Sequence, residues 1–228
     1  MNNTDQKKDN DNFLVRGGIL AVASVLVRLI GMVYRIPMTN IIGDEGNTCY
    51  SNAYEFYNIL LLLSSYSLPV AISKLVSAKV SMGQWRNIHA IMRSAILFGL
   101  LSGTAFTLLA FFGADWYFSH VTISPYSAIA LRVMSPTIFV MALLGVFRGF
   151  FQGMKTMVPT AVSQILEQIV NAIVSVLAAW ILFDYGSRVD LVKGTDVYAS
   201  AWGAAGGTLG TLMGALVALL FFLLLFGA

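Results

Sequence analysis

Apolar residues run along this chain in blocks of about 20, the length that spans a bilayer as a helix, with short polar intervals between them. Taken in order, the blocks predict six membrane helices, at about 13–36, 52–73, 88–112, 127–150, 158–183 and 198–226. Runs of this length have to be helical, because a bilayer holds no water for unpaired backbone groups. Alternating strands of about 10 residues, the signature of a membrane barrel, are absent. The pattern therefore predicts an all-α polytopic membrane protein. Residues 1–12 (MNNTDQKKDNDN) are polar and predicted to be a disordered tail ahead of a membrane unit at 13–228. No cleavable leader is apparent, since the first apolar run continues too far.

The fifth predicted helix breaks the apolar pattern in a regular way. Thr160, Gln164, Glu167, Asn171 and Ser175 recur at steps of four, three, four and four. That is helical spacing, so the five polar groups form one stripe. An ionisable residue at membrane depth faces a bundle interior or a water-filled cavity. Glu167 lies about 12 Å from the helix start at about 1.5 Å per residue, near mid-membrane. The stripe either lines a cavity or only hydrogen-bonds to neighbouring helices.

Other charges sit in apolar surroundings. Arg28 and Arg35, seven residues apart, share one face of the first helix. Arg35 either snorkels to the outer headgroups or faces a cavity. Arg28 lies deeper, and either faces a cavity or pairs with a carboxylate. Glu55, about one turn into the second helix from its outer end, is a candidate partner, which would merely tie helices one and two together. Arg132 near the outer end of helix four snorkels or lines a vestibule. Pro69 breaks or kinks the second helix. The glycines of helix six, Gly203, Gly207, Gly210 and Gly214, offer a smooth face for close packing.

Composition narrows the function classes. Only 11% of the 228 residues are charged, and 57% are hydrophobic. The single Cys49 excludes a disulfide framework within the chain. The chain has no phosphate-cradling glycine loop, no His/Cys metal set and no nucleophile–base arrangement, so an enzyme is not expected and no cofactor is called for. Lys7, Lys8, Arg16, Lys74, Lys79, Arg86, Arg93, Arg148 and Lys155 fall on one side, nine cations against Arg188 and Lys193 on the other. That bias places the N-terminus in the cytoplasm, with a polar loop at 184–197 outside. The cations track the membrane sides, which argues against nucleic-acid binding. The ending FFLLLFGA carries no cationic anchor. It suggests a fragment, or one half of a larger transporter.

Two stretches carry a family likeness. RGFFQGMKTMVPTAVSQILEQIV (148–170) and SLPVAISKLVSAK (67–79) resemble the polysaccharide biosynthesis/stage V sporulation protein B-like, lipid II flippase-like branch of the multidrug/oligosaccharidyl-lipid/polysaccharide flippase superfamily. The resemblance runs over about 13–228 and corresponds to the N-terminal lobe of a two-lobed fold. It implies a six-helix lobe in the bacterial cytoplasmic membrane, facing a second lobe or a homodimer partner. It also implies export of an undecaprenyl-pyrophosphate-linked saccharide, such as a peptidoglycan precursor, by alternating access. On that reading Arg28 and Arg35 hold the anionic phosphates, since arginine grips phosphate oxygens in two-pronged fashion. Glu167 and Glu55 serve as counter-charges or as groups for a coupling cation of unknown identity, and Thr160, Gln164, Asn171 and Ser175 line the cavity. Two alternatives remain: a cation-coupled multidrug exporter of the same superfamily, and a half-transporter remnant that moves nothing.

Overall fold

The structure is a computed structural model that describes residues 3–122 and 124–227, with side chains described from Gly18 on apart from Ile19. Residues 1–2 of the polar tail, and the side chains of Lys7, Lys8 and Arg16 used in the sidedness argument, lie outside the described residues. Among the described residues seven helices follow one another: α1 (Asn3–Ser64), α2 (Leu68–Ser81), α3 (Trp85–His120), α4 (Ser127–Met134), α5 (Pro136–Gly153), α6 (Val158–Lys193) and α7 (Tyr198–Gly227). No strand occurs among the described residues. Helix α1 starts within the polar stretch expected to be disordered.

Among the described residues five stretches are long and apolar enough to cross a membrane, where six were expected: Leu20–Ser81, Trp85–His120, Ser127–Gly153, Val158–Lys193 and Tyr198–Gly227. The difference lies in the first. The segment between the first two predicted helices is itself helical, and α1 runs through it with one interruption at Gly43 (φ 68°, ψ −175°). Met38 and Ile42, one turn apart and fully buried, continue the core-facing stripe up to the break. Beyond it Cys49, Tyr50, Ala53 and Tyr57 resume that stripe. Only glycine reaches the Gly43 conformation without strain, so the chain changes direction there with no loop.

Prolines set the other boundaries. Pro69 lacks an N–H and would clash with the carbonyl four residues back, so α1 ends at Ser64 and Pro69 opens the first turn of α2. The predicted fourth helix divides at Ser135 into α4 and α5 for the same reason, with Pro136 at the start of α5. The carbonyl of Arg132 loses the N–H that residue 136 would have given. The Ser135 hydroxyl donates to it instead, at 2.9 Å.

At the far end, α6 continues to Lys193 and so takes up most of the loop expected at 184–197. Its end is fixed by Gly194 in the left-handed region (φ 67°). The Asp190 carboxylate accepts from Thr195 Oγ1 at 2.8 Å and from the backbone N–H groups of Tyr198 (3.0 Å) and Ala199 (2.8 Å). Those two N–H groups belong to the first turn of α7, where orphan donors and the helix dipole favour an anion. The carboxylate thus closes the α6–α7 hairpin.

Helices α6 and α7 form the closest pair. A side-chain carbon on Gly206 would strike the backbone of Ala178, and one on Gly214 would strike the Glu167 carbonyl. Gly207 points elsewhere, toward Met38 and Tyr50 of α1, and Gly203 lies between Ile42 of α1 and Phe183 of α6. The expected smooth face is therefore two faces, one for each neighbour. Buried side chains form two clusters stacked along the helices. One holds Met38, Ile42, Tyr57, Phe118, Leu131 and Met134; the other holds Val76, Leu144, Phe147 and Phe222.

Candidate functional site: an arginine and tyrosine cavity beside a half-buried ion pair

The polar stripe of α6 does not face one way. Asn171 and Ser175 are turned into the α6–α7 seam, 7% and 0% exposed. The Ser175 hydroxyl lies 2.8 Å from both Asn171 Oδ1 and the Gly207 carbonyl oxygen. Glycine at 210 makes room for this, since Asn171 O lies 2.7 Å from where a side-chain carbon would stand. Asn171 Nδ2 donates to Tyr34 Oη at 3.3 Å, which ties the seam to α1. Thr160 is fully buried at the other end of the stripe. So Thr160, Asn171 and Ser175, expected to line a cavity, sit among packed helices.

Gln164 and Glu167 do face open space. Together with Ser24, Arg28, Arg148 and Gln168 they surround a cavity of about 280 Å³ between α1 and α6. The Glu167 carboxylate accepts from Arg148 Nη2 at 2.6 Å, and Arg148 Nε donates to Ser163 Oγ at 3.2 Å. Ser163 in turn donates to the Thr160 carbonyl at 2.7 Å, which fixes its lone pairs toward the arginine. The side chains of Arg148 and Glu167 are 11% and 18% exposed. The counter-charge for Glu167 thus comes from the last two turns of α5, not from the arginines of α1. A clue lay in the sequence. Arg148 and Glu167 stand 19 residues apart across one short turn, and Arg148 is close enough to the α5 end to reach back along α6.

Arg28 and Arg35 meet in a second, larger cavity of about 660 Å³, where Glu55 joins them. Both arginines and Glu55 are exposed to it, and among the described residues none of the three makes an ion pair. The expected Arg–Glu tie between helices one and two is therefore not formed. Arg132, by contrast, pairs with Asp115 and lies over the Phe111 ring, away from the cavity. The tyrosines of the wall were not singled out from the sequence. Tyr34, Tyr50 and Tyr54 line it, along with Gly31, Ser51 and Gln168. The Arg35 guanidinium carbon stands 5.8 Å above the centre of the Tyr50 ring. Tyr50 stacks on Tyr54 with centroids 5.7 Å apart. These two tyrosines stand four residues apart beside the acidic Glu55, a signal that reads as core packing from sequence. Arg28 lines both cavities, so it links the free arginine surface to the Arg148–Glu167 pair. Among the described residues, no group of three or more His, Cys, Asp and Glu side chains is placed to hold a metal.

The chemistry of this wall suits an anion with an organic body. Two cations that make no ion pair among the described residues, about 10.5 Å apart along the helix axis, flank aromatic faces in an open cleft. Comparison with known proteins agrees with a membrane role. The family model for polysaccharide biosynthesis proteins matches residues 14–227. Three curated proteins of Bacillus subtilis (strain 168) are similar to the chain. They are the uncharacterized membrane protein YabM (31% identical over 134 residues), the lipid II flippase MurJ (27% over 149) and stage V sporulation protein B (31% over 135). The matched stretches cover 59%, 61% and 59% of this chain, and 24%, 27% and 26% of those proteins. The chain thus matches about a quarter of the length of each. No solved structure matches it.

Proposed function

Because the chain belongs to the polysaccharide biosynthesis protein family, we propose that it takes part in moving a lipid-linked, diphosphate-bearing saccharide across the bacterial cytoplasmic membrane. The observation that carries this reading is the open cavity in which Arg28 and Arg35 stand without carboxylate partners among the described residues. Unpaired arginines at membrane depth are unfavourable unless a ligand or water serves them. An anionic diphosphate supplies what they lack, through short charge-assisted hydrogen bonds. The similarity to a lipid II flippase supports an undecaprenyl-pyrophosphate-linked precursor as the cargo. Alternating access needs a second wall facing this one, from a second lobe or a second copy. The bias of lysines and arginines supports a cytoplasmic N-terminus and α5–α6 turn.

In this reading the two carboxylates have different tasks. Glu167 is neutralised by Arg148, so the smaller cavity beside Arg28 gains no net charge from the pair. Glu55 is the carboxylate left for a coupling cation. Cation binding there would shift the balance between inward- and outward-facing forms only by its difference in affinity for the two.

Depletion of the protein in its host tests the reading. Undecaprenyl-diphosphate-linked saccharides are expected to accumulate in the cytoplasmic leaflet, measured by lipid extraction and mass spectrometry. An unchanged lipid pool with altered drug sensitivity would point instead to a cation-coupled multidrug exporter.

A further inference from the structure

The larger cavity has a feature that phosphate binding leaves unused. Phosphates need the guanidinium groups, yet the wall between Arg35 and Glu55 is aromatic. We propose that the Tyr50–Tyr54 face is a carbohydrate subsite, which seats the sugar bonded directly to the diphosphate. The inference rests on the reading of Arg28 and Arg35 given above, and adds to it where the sugar lies and what kind of sugar fits.

Arg35, Tyr50 and Tyr54 form a ladder, with the guanidinium 5.8 Å from the Tyr50 ring centre and the two rings 5.7 Å apart at 16°. Tyr50 is 5% exposed and held in the core, whereas Tyr54 is 37% exposed and borders the cavity. Tyr54 is braced from behind by buried Tyr57, at 5.8 Å between centroids. Tyr54 is held by two neighbouring rings while more than a third of it stays open to solvent at the cavity, which makes it a rigid platform. Its electron-rich face suits the weakly positive C–H face of a pyranose, as it suits other positive edges. It stands two ladder steps from Arg35, with Tyr50 between, so a sugar on Tyr54 lies on the same wall as the guanidinium that would take its phosphate.

Polar groups for sugar hydroxyls stand on the same rim. Glu55 follows Tyr54 in the chain, and Gln168 crosses from α6, its amide nitrogen 3.3 Å from the position a side-chain carbon on Gly31 would take. A carboxylate only accepts hydrogen bonds, so it favours hydroxyl and amide donors. It also repels a second carboxylate. The subsite therefore selects an uncharged or N-acylated pyranose over a uronic acid at the position next to the diphosphate.

The test compares two lipids on the intact protein in detergent, by native mass spectrometry. One is bare undecaprenyl diphosphate; the other is the same lipid carrying N-acetylglucosamine. Tyr54→Ala and Tyr54→Leu are expected to weaken binding of the glycosylated lipid by about fivefold to tenfold, the range of one aromatic contact. Binding of the bare lipid is expected to stay within about twofold, which also shows that each variant is folded. Tyr54→Phe keeps the platform and is expected to keep both affinities. Equal weakening for the two lipids, or none for either, overturns the sugar subsite and leaves the phosphate site standing. Unchanged binding of the bare lipid to Arg28→Ala/Arg35→Ala overturns the phosphate site itself, and the subsite falls with it.

Discussion

Arg28→Ala in the intact protein is expected to abolish export of the lipid-linked saccharide while the amount of protein in the membrane stays normal. Arg28 lines both cavities and makes no ion pair among the described residues, so its removal breaks no internal contact of that kind. What it removes is a charge-assisted hydrogen bond to phosphate, about 1.5–3 kcal/mol, or about 10- to 150-fold in affinity. A mid-membrane pathway amplifies that effect, since the diphosphate then passes a low-dielectric stretch with less compensation. Arg28→Lys keeps the charge without the two-pronged grip, so intermediate export is expected. The measurement is appearance of the labelled saccharide in the outer leaflet of cells making each variant. Wild-type export by Arg28→Ala would take this residue out of the pathway.

The second large effect concerns Arg148 and Glu167. Their side chains are mostly buried, and the pair is oriented by Ser163. Removing one partner of a buried pair leaves an uncompensated charge, a loss of about 3–5 kcal/mol, and the partial exposure here puts the expectation near the lower end. Arg148→Ala and Glu167→Ala are each expected to lower the thermal unfolding midpoint in detergent. The double variant should be less harmed than the sum of the two, with a coupling of about 1 kcal/mol or more. Additive losses would mean that the contact is incidental. The singles should differ in ligand binding, because Arg28 borders the same small cavity. Arg148→Ala frees a carboxylate beside Arg28 and should weaken diphosphate binding. Glu167→Ala frees a second cation there and should preserve or strengthen it.

Much of the fold was legible because bilayer length and prolines are local signals. The break at Pro69 follows from one missing N–H, and the close fit of α7 on α6 from glycines at helical spacing, whereas the fourth helix was expected unbroken over 127–150 although Pro136 carries the same signal. The joint between the first two predicted helices was not legible. Polar residues around Gly43 read as a loop, but Met38 and Ile42 on one side and Tyr50 and Ala53 on the other bury enough surface to hold helix up to a single left-handed residue. The loop expected at 184–197 misled in the same way, since Asp184, Arg188 and Asp190 are polar yet helical. Arg188 pairs with Asp184 one turn away at 2.7 Å, and Asp190 caps the next helix.

The site was half legible. Charges in apolar runs pointed to Arg28, Arg35, Glu55 and Glu167, and the first three do share a cavity. The stripe of α6 was harder to read, because periodicity gives a face but not its neighbour. A helix as close as α7 hides Asn171 and Ser175, whereas Gln164 and Glu167, earlier in the helix, remain open toward α1. The tyrosines were missed for the opposite reason. Aromatic residues at helical spacing fit a core equally well, and only the vacant side of Tyr54 separates the two uses.

Everything proposed for this chain turns on whether the Arg28–Arg35 surface receives the diphosphate of a lipid. The most direct measurement is the affinity of bare undecaprenyl diphosphate for the intact protein, compared with Arg28→Ala/Arg35→Ala, by native mass spectrometry across a titration of lipid. Binding about 100-fold weaker or more is expected in the double variant, because two charge-assisted hydrogen bonds to the diphosphate are removed together. Equal affinity of the two proteins for this lipid would contradict the assignment.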